Sequence, residues 1–156
     1  PCPCGYYGSK IKECTCSPYQ IKKYREKISG PLLDRMDIRI NVDSVKYEEL
    51  VADENAESSA EVRKRVNRTR AVQRERFKDD GISSNAEMSE RHLKKYCKLS
   101  PECEEVLRYA FESLKLSARA RSRIIKVART IADMELSENI EPKHLMEAVG
   151  YRGEEL

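Results

Sequence analysis

One nine-residue stretch, Ser29-Gly-Pro-Leu-Leu-Asp-Arg-Met-Asp37, constrains the fold of this chain more than any other. Gly30-Pro31 ends whatever element precedes it, because proline lacks an amide donor and fixes its own backbone angle. Directly after the stretch, Ile38-Arg39-Ile40-Asn41-Val42 alternates apolar and polar side chains, the pattern of a half-buried strand. Beyond Asp43-Ser44 every periodic segment reads as helix. The chain therefore divides near residue 44, into a mixed part (1–44) and a helical part (45–156). Leu32 and Leu33 are expected to be buried. Asp34, Arg35 and Asp37 bring three charges to the edge of that buried segment. Two readings of Arg35 stand. It either pairs with a neighbouring aspartate on the surface, where ion pairs contribute little, or it points at something outside its own domain.

Upstream lies a cysteine-rich loop. Cys2-Pro-Cys4 and Cys14-Thr-Cys16 are separated by nine residues that include Gly5 and Gly8. Such a loop turns back on itself and brings four thiolates around one tetrahedral ion, with zinc as the natural occupant. The C-x-C spacing is tighter than the usual C-x2-4-C, and two disulfides or four reduced thiols are the competing readings. A closed four-cysteine site would be structural rather than catalytic. Ser17-Pro18 then opens a helix, serine as N-cap and proline at the first helical position. Ile21, Tyr24 and Ile28 line its apolar side.

The helical part opens with a connection: a helical turn over residues 47–51, then an acidic, polar segment. A long helix follows from Ser58 or Ser59 to Lys78. Between Glu61 and Lys78 it carries eight basic residues and two acidic ones around a sparse stripe of Val62, Val66, Thr69 and Phe77. That is either a solvated face or a nucleic-acid contact, with Arg65, Arg68 and Arg70 at its centre. Residues 83–88 read as loop. Helices start at Ser89, at Ser100-Pro101 (apolar side Val106, Leu107, Ala110, Phe111, Leu114), at Ser117 (Ala120, Ile124, Val127, Ala128, Ile131) and at Glu141-Pro142 (Leu145, Met146, Val149). His92 and His144 have no ligand-spaced partner and read as structural or exposed, and Cys97 and Cys103 read as ordinary semi-buried thiols. Arg119, Arg121 and Arg123 crowd the first two turns of the Ser117 helix, where cations oppose the helix dipole. A local rule broken without structural gain marks a functional site. The cluster suits a phosphate, unless Glu112 or another carboxylate neutralises it.

Composition narrows the field. The chain has 156 residues, 37% charged and 39% hydrophobic, no tryptophan, and a net charge of +3. That is a helix-rich chain with a modest core. No apolar run is long enough to cross a bilayer. No signal peptide is visible and a cytoplasmic location is expected. The start at Pro1 reads as part of a larger protein.

Together the motifs Cys-Pro-Cys-Gly-Tyr with Cys-Thr-Cys, Ile-Ser-Gly-Pro-Leu-Leu-Asp-Arg-Met-Asp-Ile, and Leu-Ser-Ala-Arg-Ala…Arg-Ile-Ile-Lys-Val-Ala-Arg-Thr-Ile-Ala-Asp resemble the magnesium chelatase-like AAA+ ATPases of the competence-protein ComM type. The resemblance implies a mainly α chain: a helical AAA+ lid (45–156) preceded by the tail of an α/β ATPase core (1–44). It also implies that Arg35 is an arginine finger reaching a neighbouring subunit's nucleotide. Arg119 would be the sensor 2 arginine, with Arg123 beside it at the phosphates. The parent would use ATP and magnesium in a homo-oligomeric ring, expected to be a hexamer. It would act on DNA by branch migration or, in the chelatases proper, insert a metal into a porphyrin. A non-enzymatic DNA-binding helical module is the competing reading. No G-x-x-x-x-G-K-[ST] phosphate loop and no Walker B strand occur in the sequence. The chain alone is therefore expected neither to hydrolyse ATP nor to bind it tightly.

Overall fold

The computed structural model describes residues 1–42, 45, 47 and 57–153. The chain forms two compact units, Pro1–Asn55 and Ala56–Gly153. Among the described residues all regular structure is helical.

In the first unit, Ser17 caps α1 (Pro18–Arg25) through a reciprocal capping box with Gln20, and Pro18 occupies the first turn, as the sequence requires. Gly30-Pro31 does stop α1, but it also starts something. Ser29 is the N-cap of a short helix, α2 (Gly30–Arg35), which ends at Met36. Proline's fixed backbone angle suits a first turn as well as it forbids a helix interior. Two expectations fail here. Leu32 is 44% exposed rather than buried. The strand at Ile38–Val42 does not form. Ile38, Ile40 and Val42 are all exposed, so the alternation meets no core. A strand is stabilised by a neighbour's ladder, and no partner strand exists among the described residues. The turn expected at 47–51 and the acidic segment after it lie largely outside the described residues.

The second unit is a helical bundle: α3 (Ser59–Arg76), a 3-10 turn (Asn85–Glu87), α4 (Glu90–Tyr96), α5 (Pro101–Leu114), α6 (Ala118–Met134) and α7 (Pro142–Gly153). Each of α3 to α6 starts at a serine, and Ser58, Ser100 and Ser117 accept from the amide three residues on. Helix α6 is the central element and packs on α3, α4, α7 and the 3-10 turn. Its stripe Ala120, Ile124, Ile125, Ala128, Ile131 is buried with Phe77, Leu107 and Leu145. Fully burying one such large side chain contributes about 1.5–3 kcal/mol. Met146, expected in the core from spacing alone, is exposed. Only the C-terminal half of α3 belongs to the bundle. Thr69, Gln73 and Phe77 are buried, whereas Val62 and Val66 on the same stripe are exposed.

Part of the interior is polar. Asp133 is buried and accepts from three side chains: Nε of Arg129 at 3.0 Å, Nη1 of Arg76 at 2.7 Å and Nδ2 of Asn85 at 2.8 Å. Arg129 also donates to the carbonyls of Ser137 (2.6 Å) and Glu138 (2.8 Å). One carboxylate thus fastens α3, the 3-10 turn, α6 and the α6–α7 connection together. Arg76 belongs to the basic run read from sequence as a solvated face or DNA contact. It is turned inward instead.

Candidate functional site

The N-terminal cysteines come together as their spacing predicts. Gly5 and Gly8 adopt left-handed backbone angles (φ 83° and 81°), which residues with a Cβ rarely take, and the Gly5 amide closes a turn on the Cys2 carbonyl. The loop then places the Sγ of Cys2 at 3.4 Å from Cys4 and 3.6 Å from Cys14, with Cys4 and Cys14 also 3.6 Å apart. All four ligand atoms, Cys16 included, lie within 4.8 Å of one another. These separations are far longer than a disulfide, and all four thiols are free. They match a tetrahedron with metal–sulfur arms of about 2.3 Å, whose edges are about 3.8 Å. The amide of Tyr7 donates to the Cys2 sulfur at 3.2 Å, a bond that favours thiolate.

The thiols share their protons as a group. The Tyr6 amide, with the Cys2 and Cys16 side chains, pulls Cys4 down to about 6 against the effect of desolvation. The Cys16 amide lowers Cys14 as well, but burial and the surrounding thiols override it and carry Cys14 up to about 12. A soft cation binds the thiolate forms, so it displaces the protons that the cluster still holds as it binds. The donor set fits a closed structural ion.

The arginines read from sequence fall on different elements. Arg35 is the exposed last residue of α2. The three arginines opening α6 have separate fates. Arg121 pairs with Glu104 at 2.9 Å, a neutralising carboxylate of the kind the sequence allowed for, though not Glu112. Arg123 is half-buried. Arg119, on the first turn of α6 beyond the Ser117 cap, is exposed. On α3, Arg65 donates to Glu57 at 2.9 Å, and Arg68 donates to the Met134 carbonyl at 3.3 Å. Arg70 is exposed. Two of the three arginines named for DNA are therefore occupied within the bundle.

The remaining side chains singled out in the sequence are structural. His144 is fully buried. Its Nδ1 accepts from the Glu141 amide at 2.9 Å, and its other nitrogen meets Glu135 at 3.1 Å. Burial pushes the Cys97 thiol up to about 11, which makes it inert. Cys103 donates to the Ile140 carbonyl at 3.4 Å.

Residues 56–152 match the family described as magnesium chelatase, subunit ChlI C-terminal, and residues 1–50 match magnesium chelatase, subunit ChlI. The chain belongs to the magnesium chelatase family, which relates it to the AAA+ ATPases. Among individual relatives it is 38% identical over 153 residues to competence protein ComM of Haemophilus influenzae, covering 97% of this chain and 29% of the relative. It is 39% identical over 153 residues to the uncharacterized protein YifB of Salmonella typhimurium, with the same coverage, and 36% identical over 156 residues to YifB of Escherichia coli. The chain thus spans less than a third of the length of these relatives.

Proposed function

We propose that this chain supplies two arginines to an AAA+ ring ATPase whose turnover is coupled to DNA remodelling or branch migration. Arg35 acts as the arginine finger toward a neighbouring subunit. Arg119 acts as sensor 2 toward the γ-phosphate bound by its own subunit, with Arg123 one turn further along α6. The observation that carries the reading is the state of the α6 arginines. Arg121 is satisfied by Glu104, while Arg119 stands exposed on the first turn with no ion pair among the described residues. A guanidinium so placed presents a permanent charge and a rigid donor fork to phosphate oxygens. Arg35, exposed at the end of a short helix, suits a group delivered across an interface. The four-cysteine cluster holds a structural zinc that fixes the loop before α1. The ring is homo-oligomeric, a hexamer by family habit, binds ATP and magnesium, and works in the cytoplasm. The relative named for competence favours a DNA substrate over the porphyrin metallation of the chelatases proper.

The test is ATP turnover by rings in which this chain is joined to a core carrying the phosphate loop. Arg35→Ala is expected to lower kcat by roughly 10³–10⁵-fold, the effect typical of a missing finger, with nucleotide affinity retained. Arg119→Ala is expected to weaken ATP binding as well. Full turnover in both variants would reject the assignments. The chain by itself is expected to show no turnover.

A further inference from the structure

The first 28 residues carry six lysines and arginines against two glutamates, while the whole chain has a net charge of only +3. The remaining 128 residues sum to near neutrality, the basic run of α3 being offset by acidic residues elsewhere, so the cysteine loop and α1 form a second basic segment besides α3. Four of the chain's eight tyrosines fall in the same segment, and all four are exposed, between 37% and 70%. Each ring has a cation over one face, which leaves the opposite face to a stacked base. Lys12 Nζ lies 4.8 Å from the centre of Tyr6, the Arg25 guanidinium 4.9 Å from Tyr7, Lys23 Nζ 5.9 Å from Tyr19 and Lys27 Nζ 5.2 Å from Tyr24.

Folding accounts for this pattern only in part. Tyr6 and Tyr24 keep much of their surface covered, but Tyr7 and Tyr19, 48% and 70% exposed, bury little of the area by which a tyrosine stabilises a fold. Exposed cation–ring pairs add little. The four-cysteine loop is a costly device if it only stabilises itself, yet it rigidly presents Tyr6 and Tyr7, because the Tyr7 amide is bonded to the Cys2 sulfur. Rings alternating with lysines and arginines are what an unpaired polynucleotide needs. Bases stack on the aromatic faces while the cations beside them take the phosphates. A duplex buries its base faces and offers only charge to such a surface.

We infer that the cysteine loop and α1 form a binding surface for single-stranded DNA, with Tyr6, Tyr7, Tyr19 and Tyr24 as stacking platforms and Lys12, Lys22, Lys23 and Lys27 as phosphate contacts. The inference rests on the DNA-remodelling reading and gives it a location. It moves the contact from α3, where Arg65 and Arg68 are already engaged, to the other compact unit.

The experiment is fluorescence anisotropy of a labelled 20-nucleotide oligothymidine titrated with the full chain. It is done without nucleotide, so that its outcome is independent of ATP turnover. Tyr19→Ala is expected to weaken binding roughly five- to a hundred-fold, the range for losing one stacked base, and Tyr19→Phe to bind like the parent. Replacing Lys12, Lys22, Lys23 and Lys27 by Gln is expected to flatten the slope of log affinity against log salt by about 0.7 for each phosphate left without its lysine. The Tyr6→Ala/Tyr7→Ala variant reports on the loop itself, with cysteine-bound metal measured as the check that the loop is intact. Two results would overturn the inference: equal affinity for duplex and single strand, or undiminished binding in the tyrosine variants. Loss of binding on reversing Arg63, Lys64 and Arg70 with the tyrosine variants unaffected would overturn it too, and would return the contact to α3. Failure of any of these leaves the Arg35 and Arg119 turnover test standing on its own.

Discussion

The two units of this chain are held together by different physics. In the bundle, Phe77, Leu107, Ile124, Ile125 and Leu145 exclude water, and α6 has neighbours on several sides. In the first unit the only buried apolar residue among those described is Cys2. Its tyrosines and the apolar residues after α2 lie at the surface. A segment of this size cannot bury enough area to offset its conformational entropy and relies on cross-links or metal. The same property frees its surface for recognition, since no aromatic is committed to a core. The bundle has a second device not found among the described residues of the first unit: a buried carboxylate whose partners come from separate elements. Hydrophobic burial holds the helices together, and Asp133 fixes how they are arranged.

Metal removal should separate the units most sharply. Replacing all four N-terminal cysteines by serine, or adding a strong chelator, is expected to abolish amide-exchange protection in α1, since metal binding is the folding free energy of such a loop. Protection in α6 should be unchanged. Persistent protection of α1 without metal would show that the first unit has another source of stability.

The next largest effect should come from Asp133→Ala. It strands Arg129, itself buried, and takes away the carboxylate that pairs with Arg76, leaving Arg76 its hydrogen bond to the Asn85 side chain. Removing one member of a buried pair typically costs about 3–5 kcal/mol, read as the urea midpoint of the bundle. Adding Arg129→Met should recover part of the loss, because the uncompensated charge is then gone. If the double variant is worse than the single one, the carbonyl contacts to residues 137 and 138 matter more than the charge pair. Of comparable size is the contrast along α3. Phe77→Ala should cost about 3–5 kcal/mol, while Val66→Ala on the same stripe should stay within about 0.5 kcal/mol, because its side chain is already in water.

These contrasts also show how far the sequence could be read. Serine caps at 17, 58, 89, 100 and 117 located every helix start they mark, because a cap is a local interaction between a side chain and an amide close behind it. The cysteine cluster was legible for a similar reason: two short spacings and two glycines decide where the sulfurs go. What failed depended on distant partners. Ile38 to Val42 has the alternation of a strand, but alternation carries no information about whether a neighbouring strand exists. Met146 has the right spacing for the core and lies beyond its edge. Arg76 looked like one more cation in a basic run, and nothing near it in sequence announces Asp133, 57 residues away. Asn85 sits in what reads as a loop, yet it is buried at the centre of the polar network. The site arginines divide along the same line. That α6 opens with a cluster was visible, but which of its members Glu104 would occupy was not.

The smallest effect concerns pH and lies at the rim of the bundle. Asp80, in the turn after α3, accepts from the Tyr96 hydroxyl and from Lys95 at 3.2 Å. The Tyr96 hydrogen bond is the main influence lowering its carboxyl below the usual range, with Lys95 adding to it and desolvation opposing. A carboxylate whose folded value is depressed contributes stability above its unfolded value near 4, and that contribution is lost as pH falls through the lower, folded value. The melting temperature of the bundle should therefore fall as pH drops below about 4, and part of that fall belongs to Asp80. Tyr96→Phe isolates the part. It keeps the ring, which packs edge-on against Phe77 with centres 5.3 Å apart, and removes only the hydroxyl. The variant should melt slightly below the parent at pH 7, and the two curves should draw together as pH falls below the unfolded value of about 4. Parallel curves would mean that Lys95 alone holds Asp80. Because this carboxylate sits near solvent, the shift should be well below that of Asp133→Ala, which separates the buried carboxylate that organises the bundle from the peripheral one that only tethers a turn.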